Sequence, residues 1–412
     1  MWGIERLWLE GLLWATAMPL SLWDKARHYG IPLLICGYGL GLLMDTGSGS
    51  FLLENTWWAG QLGLIFSLLT AASWVGHAPS REAALAILIQ FGAYLLLLRS
   101  GHLAMSWALL ETAAISGYFL ALTLSTEQNP WATALTYFIW NVLASALLLM
   151  GIALRLLAGQ KLSYPLASGG WLSDGLLLWG WAIKAGFIPW QNWLLRLYRA
   201  LPPLWAGWFS AVPKGALLSN LLFMLPDTGV STLKGFLFYA LAATTLIGSY
   251  SVAWTRETVL EILFWGSLGQ GAFLALVLVP GAQVAGWYFW MVYAVGTWVG
   301  FAYGARPWLS GWGKVVGLLI LANLAALPPV MGFWVKIALF ERAFQLLVGP
   351  WRYALLGSGA FALIGGLLSY GKVLWLLWNT QPASDSSSIL WRGLYLATAI
   401  LLLLLGIGVG LL

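Results

Sequence analysis

The sequence predicts an all-α integral membrane protein with about 14 transmembrane helices, forming a single polytopic membrane domain over residues 1–412. Of its 412 residues, 61 % are hydrophobic and only 8 % are charged, whereas a soluble domain is about 25 % charged. It contains 29 Trp and 48 Gly, and these residues are frequent at membrane interfaces and in transmembrane helices, respectively. Its apolar runs are continuous rather than alternating, which favours a helical bundle over the alternating strands of a β-barrel.

The predicted spans follow from the length of the apolar runs, since about 20 residues cross the hydrocarbon layer. Turn-forming residues separate these runs, for example at 45–49, 226–229 and 379–388. The longest polar stretch, 155–174, is too short for a soluble domain. The fourteen predicted spans are 7–23, 31–44, 51–76, 83–98, 103–124, 131–154, 175–195, 206–225, 236–254, 262–279, 286–304, 315–346, 354–378 and 389–412.

The composition also excludes several kinds of site. Cys36 is the only cysteine, so a disulfide framework and a cysteine metal cluster are excluded. Three histidines are too few and too scattered to favour a metal or haem site, and the chain has no nucleotide-binding or iron–sulfur motif. We therefore expect no metal and no cofactor in this chain. The net charge of +6, spread over short loops, suits a lipid bilayer better than a nucleic acid.

Five charged residues lie well inside apolar runs: Glu111, Lys184, Lys214, Lys336 and Lys372. A charge at the bilayer centre costs at least about 2.5–3.5 kcal/mol, and such residues usually line ion or proton pathways. Lysine suits a proton relay because a buried amine releases its proton more readily than an exposed one. One buried acid with several buried lysines therefore predicts a relay.

Some of these charges also have a structural interpretation. Lys372 lies close to a helix end, where its ammonium could reach the membrane interface. Lys214 follows Pro213 and could simply cap carbonyl groups that the proline leaves free. Glu111 could pair with a lysine without ever titrating.

Prolines beside the buried lysines predict broken helices. Pro189 follows Lys184 in the seventh span, Pro328 and Pro329 precede Lys336 in the twelfth, and Pro213 interrupts the eighth. Broken helices at membrane depth line cavities or are buried in protein. Because spans seven and twelve are five spans apart, they predict two inverted five-helix repeats, spans four to eight and nine to thirteen. Residues 103–225 form the approximate core of the first repeat, with Glu111, Lys184 and Lys214, and residues 236–378 form the second, with Lys336.

Several motifs over residues 103–346 resemble the antiporter-like subunits of respiratory complex I and of the related Mrp-type cation/proton antiporters. The segment 182–203, AIKAGFIPWQNWLLRLYRALPP, resembles the family's buried lysine followed by proline, aromatic residues and a second proline turn. The segment 327–336, LPPVMGFWVK, resembles the family's Pro-Pro-x-x-Gly-Phe-x-x-Lys. Thr136, Leu195 and the stretch 260–271 depart from the family pattern.

The resemblance implies a transport subunit of a larger translocase, in which a proton passes from Glu111 and Lys184 through Lys214 to Lys336. Partner membrane subunits would supply the driving chemistry, and a bacterial inner or thylakoid membrane would be the location. Four alternatives stay open at this stage. They are a sodium-transporting Mrp-type subunit, a complex driven by ferredoxin or carbon dioxide chemistry, an independent secondary transporter, and a scaffold subunit that does not conduct.

Overall fold

The computed structural model describes residues 30–44, 52–164, 166, 169–224, 233–277, 283–346, 349–379 and 388–410, and the regular elements over these residues are all helices. The predicted all-α class is confirmed. In chain order the helices are α1 (Ile31–Met44), α2 (Leu52–Gly76), α3 (Arg81–Leu97), α4 (Leu103–Thr123), α5 (Pro130–Leu157), α6 (Trp171–Lys184), α7 (Asn192–Ala200), α8 (Pro203–Met224), α9 (Leu233–Thr255), α10 (Val259–Val277), α11 (Gln283–Ala305), α12 (Gly313–Ala325), α13 (Met331–Leu346), α14 (Pro350–Asn379) and α15 (Ile389–Gly410).

Length and composition mark five of the described helices as able to cross a membrane: Leu103–Thr123, Pro130–Leu157, Phe236–Thr255, Arg352–Asn379 and Ile389–Gly408. Further apolar helices are shorter, among them α12. Helices suit this composition because every backbone polar group is satisfied within its own segment. The first predicted span, 7–23, lies outside the described residues, so the count of 14 stays a prediction.

Small residues allow the helices around the site to approach closely. Gly180 of α6 faces the backbone carbonyl of Ala144 in α5, where a Cβ atom would overlap that oxygen. Without a hydrophobic driving force in lipid, close packing of this kind holds transmembrane helices together. The contact fixes α6 against α5 and so places the end of α6 beside α4 and α5.

Two interruptions of the helical chain occur where prolines predicted them. Between α6 and α7, Gly186 has φ +70° and Pro189 follows three residues later. Between α12 and α13, Ala326 has φ +60° and Pro329 again follows three residues later. A left-handed residue ends a helix, and a proline prevents it from continuing. The predicted spans 175–195 and 315–346 are therefore each two helices.

The break predicted at Pro213 is wrong, because α8 runs through this residue as one helix. A single proline removes one backbone hydrogen bond, and a long helix packed among others tolerates that loss. At the two real breaks a left-handed residue accompanies the proline, whereas Pro213 has none beside it. The carbonyl-capping interpretation of Lys214 is also not what the structure shows, since its ammonium reaches a different helix.

Hydrogen bonds between loops define two faces of the molecule. Thr126, between α4 and α5, donates its backbone N–H to Ala200 at the end of α7. The carbonyl of His77 accepts from Trp205 at the start of α8, and Arg306, shortly before α12, donates to Gly76. These segments form what we call the Glu127 face.

The opposite face is marked by the start of α4. Leu103 donates its backbone N–H to Leu162, in the segment that leads to α6. We call this end of the bundle the Lys161 face. Helix α6 therefore begins at the Lys161 face, whereas α12 begins at the Glu127 face.

Candidate functional site

Glu111 and Lys184 form an ion pair inside the bundle. Lys184 is the last residue of α6, and its Nζ lies 3.4 Å from Oε1 of Glu111 in α4. The lysine side chain is 4 % exposed and that of the glutamate 26 %. The same carboxylate oxygen accepts a hydrogen bond from the hydroxyl of Ser145 in α5. The indole N–H of Trp107 in α4 donates to the backbone carbonyl of Ser145. Three helices thus fix the position of one carboxylate.

A cavity of about 50 Å³ joins Lys184 to Lys214. Both lysines line it, together with Tyr137, Asn141 and Tyr198. A space of this size with several polar groups can hold water. Lys214 Nζ also lies 5.8 Å from the centre of the Tyr198 ring, a distance at which the ring face attracts a cation.

Lys214 points from α8 into α10. Its Nζ donates to the backbone carbonyl and to the hydroxyl of Ser267, both at 3.2 Å. The Tyr293 hydroxyl of α11 donates to the same carbonyl at 3.1 Å. Ser267 therefore lies between the ammonium of Lys214 and the hydroxyl of Tyr293.

Lys336, in α13, lies at the carbonyl end of the preceding half-helix. Its Nζ donates to the backbone carbonyl of Leu324 at 3.5 Å, and the Gln270 amide donates to the same oxygen at 2.9 Å. The last carbonyl groups of a helix lack intrahelical partners and carry partial negative charge, which favours an ammonium there. A cavity of about 10 Å³ is lined by Lys336, Gln270 and Tyr293.

Four of the five predicted charges are thus brought into one row of contacts and cavities. Glu111 contacts Lys184 directly, a cavity leads to Lys214, and Ser267 and Tyr293 lead on to the cavity of Lys336. Lys184, Lys214 and Lys336 are all buried.

The sequence interpretation missed the polar residues that connect these charges: Ser145, Ser267, Gln270 and Tyr293. Each lies in a largely apolar helix, and the sequence gives no sign of which neighbouring helix it faces. One signal was available, because Ser267 and Gln270 both lie in the stretch 260–271 that departs from the family pattern.

Lys372 is not part of this row. It lies on α14, and its Nζ donates to the backbone carbonyl of Trp254 at 2.7 Å, near the end of α9. The ammonium is also 5.7 Å from the centre of the Trp254 ring. The ammonium thus contacts the end of a neighbouring helix, and its predicted reach to the membrane interface stays a prediction. Among the described residues, no group of three or more His, Cys, Asp or Glu could hold a metal.

Comparison with known proteins finds similar chains in large membrane complexes. No family model matches it. It is 26 % identical over 377 residues to NADH-quinone oxidoreductase subunit 14 of Thermus thermophilus, covering 85 % of this chain and 78 % of that protein. Its fold matches a chain of respiratory complex I from Thermus thermophilus, with a TM-score of 0.83, 22 % identity and coverage of 98 % and 97 %. It also matches a chain of the Mrp complex from Dietzia sp. DQ12-45-1b, with a TM-score of 0.75, 17 % identity and coverage of 98 % and 93 %.

The resemblance predicted from the motifs is therefore confirmed at the level of sequence and fold. The chain is similar to antiporter-like membrane subunits of complex I, and it shares its fold with chains of complex I and of the Mrp complex. These structural neighbours are parts of multisubunit membrane complexes.

Proposed function

We propose that the chain is a proton-translocating, antiporter-like subunit of a multisubunit membrane complex, and that Glu111, Lys184, Lys214 and Lys336 relay the proton. The observation that carries this proposal is the row formed by three buried lysines and the partly exposed carboxylate of Glu111. It begins with the Glu111–Lys184 ion pair and continues through a shared cavity and two hydroxyl groups to Lys336. Buried ionisable residues of this kind are expensive in a membrane and usually mark ion pathways.

The first step depends on the ion pair. A neighbouring carboxylate favours the ammonium form of a lysine, and burial favours the neutral amine. Movement of Glu111 away from Lys184 would therefore drive the lysine's proton through the shared cavity toward Lys214.

The second step depends on hydroxyl groups. Lys214 contacts the Ser267 hydroxyl, and the Tyr293 hydroxyl lies on the far side of the Ser267 carbonyl. Tyr293 also lines the cavity of Lys336. Water in this cavity, together with the two hydroxyl groups, would carry the proton to Lys336, which exchanges it with one aqueous side.

The energy for these steps would come from partner subunits, because this chain's buried charges can move protons but supply no redox chemistry of their own. The similarity to NADH-quinone oxidoreductase subunits favours a redox complex as the source. A ferredoxin-driven or carbon dioxide-hydrating relative of complex I is an alternative with the same relay. We place the protein in a bacterial inner membrane or a thylakoid membrane.

A subunit of an Mrp-type Na⁺/H⁺ antiporter is the second candidate, because the Mrp complex shares the fold over nearly the whole chain. Hard cations take oxygen ligands. The row instead holds three buried amines and one partly exposed carboxylate, and this chemistry favours protons in this chain. Proton movement that needs a sodium gradient instead of NADH would identify the Mrp-type function.

The relay is tested by Lys184→Met in the complete complex. Assembly is measured in detergent extracts, and proton uptake is measured in inverted membrane vesicles energised with NADH. We expect normal assembly and loss of most proton uptake, because Met fills a similar volume but carries no proton. Lys161→Met, which removes an exposed lysine, is the matched control and should leave both unchanged. Full proton uptake by an assembled Lys184→Met complex would reject the relay and leave the scaffold role.

A further inference from the structure

Helix α5 carries four buried polar residues at every fourth position: Thr133, Tyr137, Asn141 and Ser145. Residues four apart lie on one face of a helix, so these side chains form a continuous polar row, which we call the α5 row. The other faces of the helix are apolar and exposed, with Leu135, Phe138, Ile139, Val142 and Leu143. These four residues thus lie on the side that packs against the bundle.

The inner end of the α5 row is the ion pair. Ser145 donates to Oε1 of Glu111, the atom that also pairs with Lys184. Tyr137 and Asn141 line the cavity that contains Lys184. Three of the four residues therefore contact the carboxylate or the cavity beside it.

The outer end reaches water at the Glu127 face. The Thr133 hydroxyl donates to Oε2 of Glu127 at 2.7 Å and accepts from Nε of Arg196 at 3.0 Å. Arg196 also donates from its Nη1 to the Thr136 hydroxyl at 3.3 Å. Glu127 and Arg196 are exposed, whereas Thr133 is 1 % exposed. Thr133 is therefore the point at which surface charges meet the buried row.

We propose that the α5 row is the path by which the Glu111–Lys184 pair exchanges protons with the aqueous phase at the Glu127 face, with Glu127, Thr133 and Arg196 as its outer gate. This inference rests on the proposed relay and adds to it the entrance, the face and the gating residues. Glu127 collects the proton, the Thr133 hydroxyl passes it inward, and water beside Tyr137 and Asn141 carries it to the pair. Arg196 holds the Thr133 hydroxyl in place from the other side.

A second polar cluster lies toward the Lys161 face and gives the rival entrance. The Ser106 hydroxyl donates to Ser100 and accepts from Tyr164 and Asn220. This hydroxyl is fully occupied by protein partners. The α5 row differs because a cavity with room for water adjoins it.

The test compares Thr133→Val with Thr133→Ser in the assembled complex. Valine keeps the shape but removes the hydroxyl, so we expect proton uptake to fall about a hundredfold, the lower end of what a positioned proton-transfer group contributes. Serine restores the hydroxyl and should restore the rate. Thr123→Val is the matched control, because Thr123 is exposed and bonds only to its own helix. Asn141→Leu should slow uptake like Thr133→Val, whereas Ser106→Ala should leave the rate unchanged.

A readout of the gate itself comes from Glu127→Gln. The loss of the carboxylate should slow uptake most when the pH at the Glu127 face is high, where protons are scarce, and Glu127→Asp should recover the rate. Wild-type uptake by both Thr133→Val and Asn141→Leu would overturn the α5 row as the entrance. If Lys184→Met in the same series still stops uptake, the relay stands and only the entrance is wrong. Normal uptake in Lys184→Met would reject the relay as well.

Discussion

At the scale of single residues, two carboxylate–guanidinium pairs among the described residues differ in burial. Arg155 of α5 and Asp174 of α6 form a pair in which the side chains are 1 % and 6 % exposed. Asp174 also accepts from the backbone N–H of Gly169 at 3.0 Å. Arg199 and Glu261 form a pair at 2.6 Å in which the side chains are 48 % and 26 % exposed. The first pair is withdrawn from water and the second is not.

This difference predicts unequal effects of two matched substitutions. Asp174→Asn leaves the guanidinium of Arg155 buried without its charge partner, which costs about 3–5 kcal/mol. Glu261→Gln breaks the more exposed pair, which water screens, and should cost about 0–1 kcal/mol. Thermal melting of the purified complex measures both. Equal decreases in melting temperature for the two variants would contradict the inference that burial makes the first pair more important for stability.

At the scale of the elements, the break between α12 and α13 depends on a close backbone approach. Gly332, in the first turn of α13, donates its N–H to the Asn323 side chain at 2.8 Å. A Cβ atom at Gly332 would overlap the backbone carbonyl of Asn323. Backbone atoms cannot move aside as a flexible side chain can, so only glycine fits between the two half-helices.

Gly332→Ala is therefore expected to displace α13 and, with it, Lys336. We expect a lower yield of assembled complex and a lower melting temperature. Gly371→Ala in α14 is the matched control, because nothing lies within 4 Å of a Cβ atom there and alanine is favoured over glycine in a helix by about 1 kcal/mol. A Gly332→Ala complex as stable as the control would show that the half-helices are not in close contact.

At the scale of the whole molecule, α6 starts at the Lys161 face and α12 at the Glu127 face, as the loop contacts of both faces indicate. The predicted inverted repeats require the two helices to start at opposite faces, because a repeat with an odd number of spans gives the next copy the opposite orientation in the membrane. A chain with two copies in the same orientation would start both broken helices at one face.

Cysteine labelling tests directly whether α6 and α12 start at opposite faces of the membrane domain. With Cys36 replaced, Lys161→Cys and Ser310→Cys each supply one exposed thiol, in the segments that lead to α6 and α12, respectively. A membrane-impermeant maleimide should label one variant in intact cells and the other only in inverted vesicles. Labelling of both from the same side would reject the inverted repeats.

The sequence predicted the helices and both real breaks because long apolar runs and prolines are local signals. It failed at Pro213, because a proline ends a helix here only where a residue with left-handed backbone geometry accompanies it, and the sequence does not show that geometry. It also placed the charges but missed Ser145, Ser267 and Tyr293, because a polar residue in an apolar helix does not reveal its partner on a distant helix. The α5 row was missed for the same reason, although its fourfold spacing is readable once the buried face is known.

The two cavities beside the lysines differ in size, and the difference bears on where transport is slow. The space between Lys184 and Lys214 is about 50 Å³, and the space beside Lys336 is about 10 Å³. One water molecule needs about 10–15 Å³ measured in this way, so the second space is at the limit for a single molecule. If protons follow this route, the space before Lys336 is its narrowest part, and the entry of a single water molecule there sets the rate of transport.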